Sequence, residues 1–327
     1  MKEIIITKNE SGQRVDKYVR KYLCDAPLSF IYKTFRKKDI KINGKWVNIE
    51  YILKENDVLR IYIKDEIIEQ YTSIKPIEKL TFNHEIIYED ENILIINKPS
   101  GLLVHGDEKE KRITLANQVL SYLYQKGEYD PSLDIGFTPA PAHRLDRNTS
   151  GVVVFGKNLS TLQALLELFK DKNKIDKIYY ALVVGNVTGE GTIDASLLKD
   201  EEKGIVKVVN KGVEGAKSAL TKYKVKYNFG KYSLLEVKLL TGRTHQIRVH
   251  LSYKKFPLVG DAKYGDFKAN KEFKETFNYE TQFLHAKSIS FKEVDGVLKY
   301  LSGRSFEARL GKKEQNIINI LLDSNSK

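Results

Sequence analysis

The sequence predicts an α+β protein of two domains joined by a linker. In residues 84–327, β-branched and aromatic runs outnumber amphipathic segments, and turns connect them as often as helices do. This pattern favours a mixed, largely antiparallel sheet flanked by helices. Residues 1–68 combine two short amphipathic helices with a hairpin and form a small front domain. Residues 69–83 show no clear period, which is typical of a linker.

The composition restricts the partner and the compartment. The 327 residues carry a formal net charge of +12, which favours a polyanionic partner, with nucleic acid ahead of an acidic membrane surface. A single cysteine, Cys24, cannot form an internal disulfide, which favours a reducing cytoplasm. No stretch approaches the roughly 20 apolar residues that cross a bilayer. We therefore expect a cytoplasmic protein without a membrane partner, and take a monomer as the default state.

The front domain is predicted to present its cations on two short helices. Apolar residues from Val15 to Leu23 recur at helical spacing, a second helix is predicted after Ser29 as its N-cap, and Asn43-Gly44 predicts a hairpin turn. Residues 12–65 hold thirteen Lys or Arg against seven Asp or Glu. Such a surface either contacts phosphates, which provides affinity more than sequence selectivity, or is merely solvated. The cations that we expect to contact phosphate are Arg14, Lys17, Lys21, Lys33, Arg36 and Lys37.

The segment from His143 to Gly151 carries the densest set of chemically capable side chains. Its one carboxylate, Asp146, lies between two arginines, and hydroxyl groups and a glycine follow. The next residues, 152–155, are β-branched or aromatic and predict a buried strand. A charged group held by cations at the end of a strand is a candidate catalytic group. The sequence contains neither a Walker phosphate loop nor the Gly-x-Ser-x-Gly elbow of serine hydrolases.

A second candidate segment lies further along the chain, at residues 177–183. Its strand pattern places Tyr179 and Tyr180 on opposite faces, so that one faces the core and the other can face a site. A buried structural tyrosine is the alternative interpretation.

Two later segments complete the candidates. In residues 241–250, Thr244 is predicted to cap a short helix whose first turns contain Arg248, although a surface salt bridge is the simpler role for any one arginine. Residues 257–265 form a loop framed by glycines, which permits close approach of another segment. His245 and His250 are five residues apart and diverge around a helix, so we expect no metal site there.

The order of these segments resembles the RluA-type pseudouridine synthases. Residues 143–151 match the family signature, and agreement continues at residues 97–101, 177–183, 241–251 and 260–265. The resemblance implies a pseudouridine synthase fold for residues 84–327 and an isomerisation of uridine in RNA that needs no cofactor or metal. Residues 12–16 and 40–44 resemble the αL RNA-binding motif shared with a small-subunit ribosomal protein. The front domain and the Tyr264-Gly265-Asp266-Phe267 run most resemble members that modify large-subunit (23S) ribosomal RNA, as free RNA or in the assembling subunit.

The resemblance also implies roles for individual residues. Asp146 would be the catalytic carboxylate, acting either as a nucleophile on the sugar or as a base that removes a sugar proton. Arg248 would be its charge partner, since a planar guanidinium suits a bidentate grip on a carboxylate. Tyr179 would stack on the flipped uracil, with Tyr180 as its core-facing neighbour. Arg144 would fill the space that the flipped base leaves, and Arg243 would be a further substrate contact. His143 and Thr149 would shape the loop at the substrate.

Rival functions stay open at this point. The basic front domain fits a non-catalytic ribosome-assembly protein equally well, but a retired site has no physical need to keep Asp146, Tyr179 and Arg248 together. A synthase of the same type that acts on tRNA or on other ribosomal uridines is the alternative among enzymes. A metal-dependent nuclease is a third possibility.

Overall fold

The computed structural model describes residues 1–73, 76–171 and 173–325. The first unit is a four-stranded antiparallel sheet in the order β1-β4-β2-β3, with helices packed against it. Asn43 and Gly44 adopt left-handed φ values of 50° and 78°, so the predicted Asn-Gly hairpin is confirmed. The elements are β1 (Lys2–Ile5), α1 (Val15–Tyr22), α2 (Leu28–Arg36), β2 (Ile40–Ile42), β3 (Lys45–Trp46), β4 (Val58–Ile61) and α3 (Asp65–Tyr71).

Two boundaries in the first unit differ from the prediction. Helix α2 begins after Pro27, whose backbone is already extended, so Ser29 lies inside the helix and its assignment as N-cap was wrong. Helix α3 runs through the start of the predicted linker, because Ile68 is buried in the core of the first unit. The unit therefore extends to Tyr71 rather than ending at residue 68. Residues 74 and 75 of the predicted linker lie outside the described residues.

The second unit is built on a large mixed sheet, as the sequence predicts. Its strands follow the order β10-β13-β14-β9-β15-β8-β6-β5, with β16 beside β15 and β7 beside β8. Only β8 and β15 run parallel among the strand pairs of the described chain. The strands are β5 (Glu85–Glu89), β6 (Ile93–Lys98), β7 (Ala140–Pro141), β8 (Ser150–Gly156), β9 (Ile175–Val184), β10 (Glu190–Asp194), β11 (Ser196–Asp200), β12 (Ile205–Val209), β13 (Leu220–Asn228), β14 (Tyr232–Leu239), β15 (Leu284–Phe291) and β16 (Ser305–Glu307), of which β11 and β12 form a separate pair.

Helices cover both faces of this sheet. Strand β8 is buried throughout, and its side chains alternate: Val153 and Phe155 join one core, whereas Val152 and Val154 join the other. The helices are α4 (Leu115–Gln125), α5 (Leu159–Lys170), α6 (Gln246–Tyr253), α7 (Phe267–Phe277), α8 (Lys312–Asn325) and a 3₁₀ turn at Gly296–Leu301. None of the helices in the described ranges is long and apolar enough to span a membrane. Because helices cover both faces of the sheet, every side chain of β8 is buried, and its sequence is a continuous apolar run rather than an alternating one.

Local contacts before α4 and α5 define where these two helices begin. Leu103 makes an isolated bridge to Thr114, directly before the start of α4. Helix α5 is capped by Asn158, whose side chain accepts the Thr161 N–H.

Candidate active site

Residues from distant parts of the chain meet at one cavity of about 600 Å³ beside the amino-terminal end of β8. The loop before β8 supplies the family-signature residues, strand β9 forms one wall, and the start of α6 forms another. All seven residues that the sequence predicts for the catalytic domain line this cavity. They are His143, Arg144, Asp146, Thr149, Tyr179, Arg243 and Arg248.

The carboxylate of Asp146 and the guanidinium of Arg248 form an ion pair in the cavity. Arg248 Nη1 donates to Asp146 Oδ2 at 3.0 Å, although 102 residues separate the two in sequence. The Asp146 side chain is 28% exposed, whereas that of Arg248 is only 7% exposed. The anion is therefore accessible from the cavity while its cation is held behind it.

The bidentate grip of Arg248 falls on a different carboxylate from the one the sequence suggests. Arg248 Nε and Nη2 donate to the two oxygens of Asp261 at 2.7 and 2.9 Å, and only Nη1 remains for Asp146. The Asp261 side chain is fully buried. Burial alone would raise the pKa of this carboxyl, but the hydrogen bonds and charge of Arg248 lower it overall. Asp261 thus holds the guanidinium in place, and the predicted bidentate contact with Asp146 was wrong.

The glycine-framed loop explains how Asp261 reaches this position. Gly260 has a φ of +73°, and a Cβ there would collide with the backbone carbonyl of Thr281. The N–H groups of Lys263 and Tyr264 also donate to Asp261. The close approach predicted for residues 257–265 is confirmed. The sequence analysis did not predict that this loop places Asp261 against Arg248.

Tyr179 forms the wall of the cavity on β9. It is 7% exposed, and burial together with the negative charge of Asp146 raises the pKa of its hydroxyl, so that the neutral phenol is maintained. Tyr180 is only partly buried, with the amines of Lys226 and Lys287 over its ring at 5.3 and 6.0 Å. Tyr180 packs against a second core cluster, as predicted, although it is only partly buried. Tyr179 lines the cavity and is itself part of the main core.

His143 and Thr149 brace the loop that carries Asp146. His143 Nε2 accepts the Val154 N–H at 3.2 Å, and its ring stacks on Phe169 at 4.5 Å. Burial, aided by the positive charge of Lys177, lowers the pKa of His143 to about 3. Thr149 donates its backbone N–H to the Asp146 carbonyl at 3.0 Å, which closes a turn around the carboxylate.

The sequence analysis did not predict two further groups that lie near Asp146. Lys98 is fully buried, and its amine donates to the carbonyls of Pro99, Leu102 and Arg147, which ties β6 to the Asp146 loop. Burial lowers the pKa of Lys98 to about 7, against the opposing effect of the Asp146 charge. Lys98 lies in the 97–101 segment that resembles the family, but nothing in its spacing shows where its amine goes.

His245 is the second missed group. Its Nε2 lies 3.9 Å from Asp146 Oδ2, and its Nδ1 is 2.8 Å from the Tyr264 hydroxyl. His245 has a left-handed φ of 53° and occupies the N-cap position of α6, so the prediction of Thr244 as the cap was wrong. Across the described ranges, no group of three or more His, Cys, Asp or Glu side chains is placed to hold a metal ion.

The cations of the front domain that are predicted to contact phosphate differ in whether they already bind other groups of the protein. Arg14 pairs with Asp16 at 2.9 Å and Glu50 at 3.3 Å. Lys21 donates to Gln13 and to the carbonyl of Gly136, and so contacts the second unit. Exposed cations without an ion pair in the described chain are Lys17, Lys33, Arg36 and Lys37.

Comparisons with known proteins agree with this geometry. Residues 92–253 match the family described as RNA pseudouridylate synthase. The ribosomal large subunit pseudouridine synthase C of Buchnera aphidicola is 39% identical over 295 residues, which cover 88% of each chain. The chain belongs to this family. It is a pseudouridine synthase, an isomerase that acts on RNA.

Further similarities cover most of the synthase. The enzyme of the same name from Vibrio cholerae is 34% identical over 293 residues, again 88% of each chain. Human RNA pseudouridylate synthase domain containing 4 has the same fold, with a TM-score of 0.57 and 23% identity over 72% of this chain and 92% of that one. The mixed-sheet fold predicted for the catalytic domain is confirmed.

Gly151, the last residue of the family signature, is expected to be essential for the stability of the synthase. Its φ is +111°, and a Cβ there would collide with the carbonyl of Ala286 on the parallel strand β15. Gly151→Ala should therefore lower the free energy of unfolding by more than Gly185→Ala, whose φ of +121° is similar but whose Cβ would make only an ordinary contact with the Phe256 ring. The control isolates backbone strain, about 1–3 kcal/mol. Denaturant unfolding of both variants is the measurement, and equal losses would contradict the close approach.

The synthase should lose stability in acid partly through His143. Because folding lowers the pKa of His143 to about 3, the unfolded chain takes up its proton first as the pH falls below about 6.5. The associated stability is present above that pH and is lost toward pH 3, at about 1.4 kcal/mol per pH unit. His143→Gln removes the titrating group, so its unfolding free energy should depend less steeply on pH between about 6 and 4. Parallel curves for the two proteins would contradict this role.

Proposed function

We propose that this synthase converts specific uridines of large-subunit ribosomal RNA to pseudouridine, with Asp146 as the catalytic carboxylate. The observation that carries the proposal is the partly exposed Asp146 paired at 3.0 Å with the buried Arg248. The pair lies in a cavity of about 600 Å³, which is in the range of small-ligand sites.

The reaction breaks the glycosidic bond of uridine, turns the base, and rejoins it to the sugar through carbon 5 of the uracil. A carboxylate can start this sequence by attacking the sugar or by removing a sugar proton, and both roles require the ionised form. Arg248 places a positive charge within hydrogen-bond distance of Asp146, where it interacts with the carboxylate. Asp261 maintains the orientation of Arg248, so that the cation stays with the protein when substrate arrives.

The base must leave its stack to reach Asp146. Unstacking a nucleotide costs a few kcal/mol, which contacts in the site have to supply. Tyr179 offers a buried aromatic wall beside the carboxylate, and we infer that it stacks on the uracil while the base turns. Arg144 is exposed at the cavity, which is consistent with filling the vacated space in the RNA.

The RNA class rests on two supports. Both bacterial relatives described above are named ribosomal large subunit pseudouridine synthase C. The front domain adds free cations at Lys17, Lys33 and Lys37, and such cations hold phosphates of a large RNA outside the catalytic cavity.

Base-resolution mapping of pseudouridine tests this proposal. Ribosomal and transfer RNA are compared from cells with and without the protein. We expect specific sites to disappear from large-subunit ribosomal RNA and transfer RNA to be unchanged. Loss of sites only in transfer RNA would overturn the substrate assignment while leaving the chemistry in place.

A further inference from the structure

Trp46 is the single tryptophan of the sequence, and its side chain is solvent-exposed on the front domain. It is 50% exposed on β3, the strand at the edge of the four-stranded sheet. Its indole N–H donates to the Phe35 carbonyl at 3.4 Å, at the end of α2. The ring is thus both solvent-accessible and fixed in orientation, an arrangement found where an aromatic side chain binds a partner.

Lysine amines lie beside this ring and beside a second exposed ring. The amine of Lys38 is 5.5 Å from the centre of Trp46, and that of Lys41 is 4.7 Å from the centre of Tyr62. Lys41 is directly opposite Trp46 in the β2–β3 register, so their side chains leave the same face of the sheet. Tyr62 is 40% exposed. Aromatic and cationic groups therefore alternate on one surface.

The cations around Trp46 are not neutralised by the protein. Two other cations of the domain are neutralised: Arg14 is paired with Asp16, and Arg60, opposite Lys41 on β4, is paired with Glu3. In the described part of the chain, no ion pair is formed by the cations of α2, of the residues directly after it, and of the β2–β3 hairpin that carries Trp46. These are Lys33, Arg36, Lys37, Lys38, Lys41 and Lys45.

We propose that Trp46 is a stacking platform for an unpaired base of RNA, with Lys38 and Lys41 contacting the adjacent phosphates. The inference rests on the proposed function, because that function supplies RNA as the ligand. A single-stranded nucleic acid offers flat bases and a negatively charged backbone. An exposed aromatic ring can stack on any of the four bases, and unpaired cations beside it can contact the phosphates. The surface thus binds RNA at a position distinct from the catalytic cavity.

The intrinsic fluorescence of Trp46 reports directly on this site. The full-length protein is titrated with a fluorescently labelled single-stranded RNA of about ten nucleotides, within the site sizes typical of such surfaces. Anisotropy of the label measures binding, and unlabelled RNA is used to follow the tryptophan emission. We expect quenching that saturates with the binding curve. Binding without any change in emission would overturn the proposal.

Variants separate stacking from charge. Trp46→Leu should weaken RNA binding roughly 5- to 150-fold, the equivalent of one stacked base, with the salt dependence unchanged. Lys38→Ala should instead reduce the slope of log affinity against log salt by about 0.7. Trp46→Phe keeps a ring and should retain most of the affinity. Tyr124→Leu removes an aromatic ring of similar exposure from α4 and should leave binding unaltered.

Two controls keep the outcome unambiguous. Circular dichroism checks that Trp46→Leu is folded, and equal binding by the folded variant would contradict stacking. Vesicles containing anionic phospholipid replace RNA in a parallel titration, and an emission change with vesicles alone would assign the surface to a membrane instead. Pseudouridine formation is assayed separately: quenching without pseudouridine would refute the proposed function alone, and pseudouridine without quenching would refute the stacking site alone.

Discussion

Asp146→Asn is expected to abolish pseudouridine formation while the protein stays folded and binds RNA. The amide keeps the shape of the side chain and can still accept the hydrogen bond from Arg248, but it cannot act as an anionic nucleophile or base. Loss of a general base alone costs about 10²- to 10⁴-fold in rate, and loss of a nucleophile costs more. The stability change should be small, because Arg248 keeps both bonds to Asp261.

A matched variant isolates the role of the charge. Asp107→Asn removes another carboxylate that faces an arginine, Arg147, at 3.4 Å, outside the cavity. Its rate of pseudouridine formation should stay close to that of the natural sequence. Appreciable activity in Asp146→Asn, measured under conditions where Asp107→Asn is fully active, would refute the assignment of Asp146.

Asp261→Asn is expected to have the second-largest effect, on stability and rate together. The change leaves the guanidinium of Arg248 buried with only the partly exposed Asp146 as a charged partner. Breaking a buried pair in this way typically costs about 3–5 kcal/mol. The rate should also fall, because the asparagine oxygen can accept only one of the two hydrogen bonds that orient Arg248 toward Asp146.

The control for this variant is a partly exposed carboxylate that contacts two lysines. Asp176 contacts Lys238 at 2.7 Å and Lys292 at 3.1 Å near the surface. Asp176→Asn should lower the free energy of unfolding by about 1 kcal/mol or less. Thermal and denaturant unfolding, with the rate of pseudouridine formation, compare the two variants. An Asp261→Asn protein as stable and active as Asp176→Asn would show that the Arg248–Asp261 pair does not hold the site.

The parts of the fold that depend on local pattern were predictable from the sequence. Strand β8 is a continuous apolar run, and both of its faces are buried, so its pattern and its environment agree. The Asn43-Gly44 hairpin follows from a turn that needs two left-handed residues. The pairing of Asp146 with Arg248 came from the family resemblance, because no local pattern connects residues so far apart.

The remaining features depend on tertiary contacts or on competition between nearby residues. Asn158 and Ser160 can both cap a helix, and the choice depends on which backbone is extended at the turn. Helix α3 is short and owes its position to the burial of Ile68. The bonds of Lys98 and Asp261 to the site depend on where other segments place their carbonyls and guanidinium. No periodicity in the sequence encodes those positions.

Asp146, oriented through Arg248, is the proposed catalytic group for uridine isomerisation in large-subunit ribosomal RNA. The most direct measurement incubates that RNA, isolated from cells lacking the protein, with the purified protein or with Asp146→Asn, and maps pseudouridine at base resolution. We predict that the natural sequence restores pseudouridine at the missing sites and that the variant restores none. Restoration by both proteins, or by neither under conditions where both bind the RNA, would contradict the account.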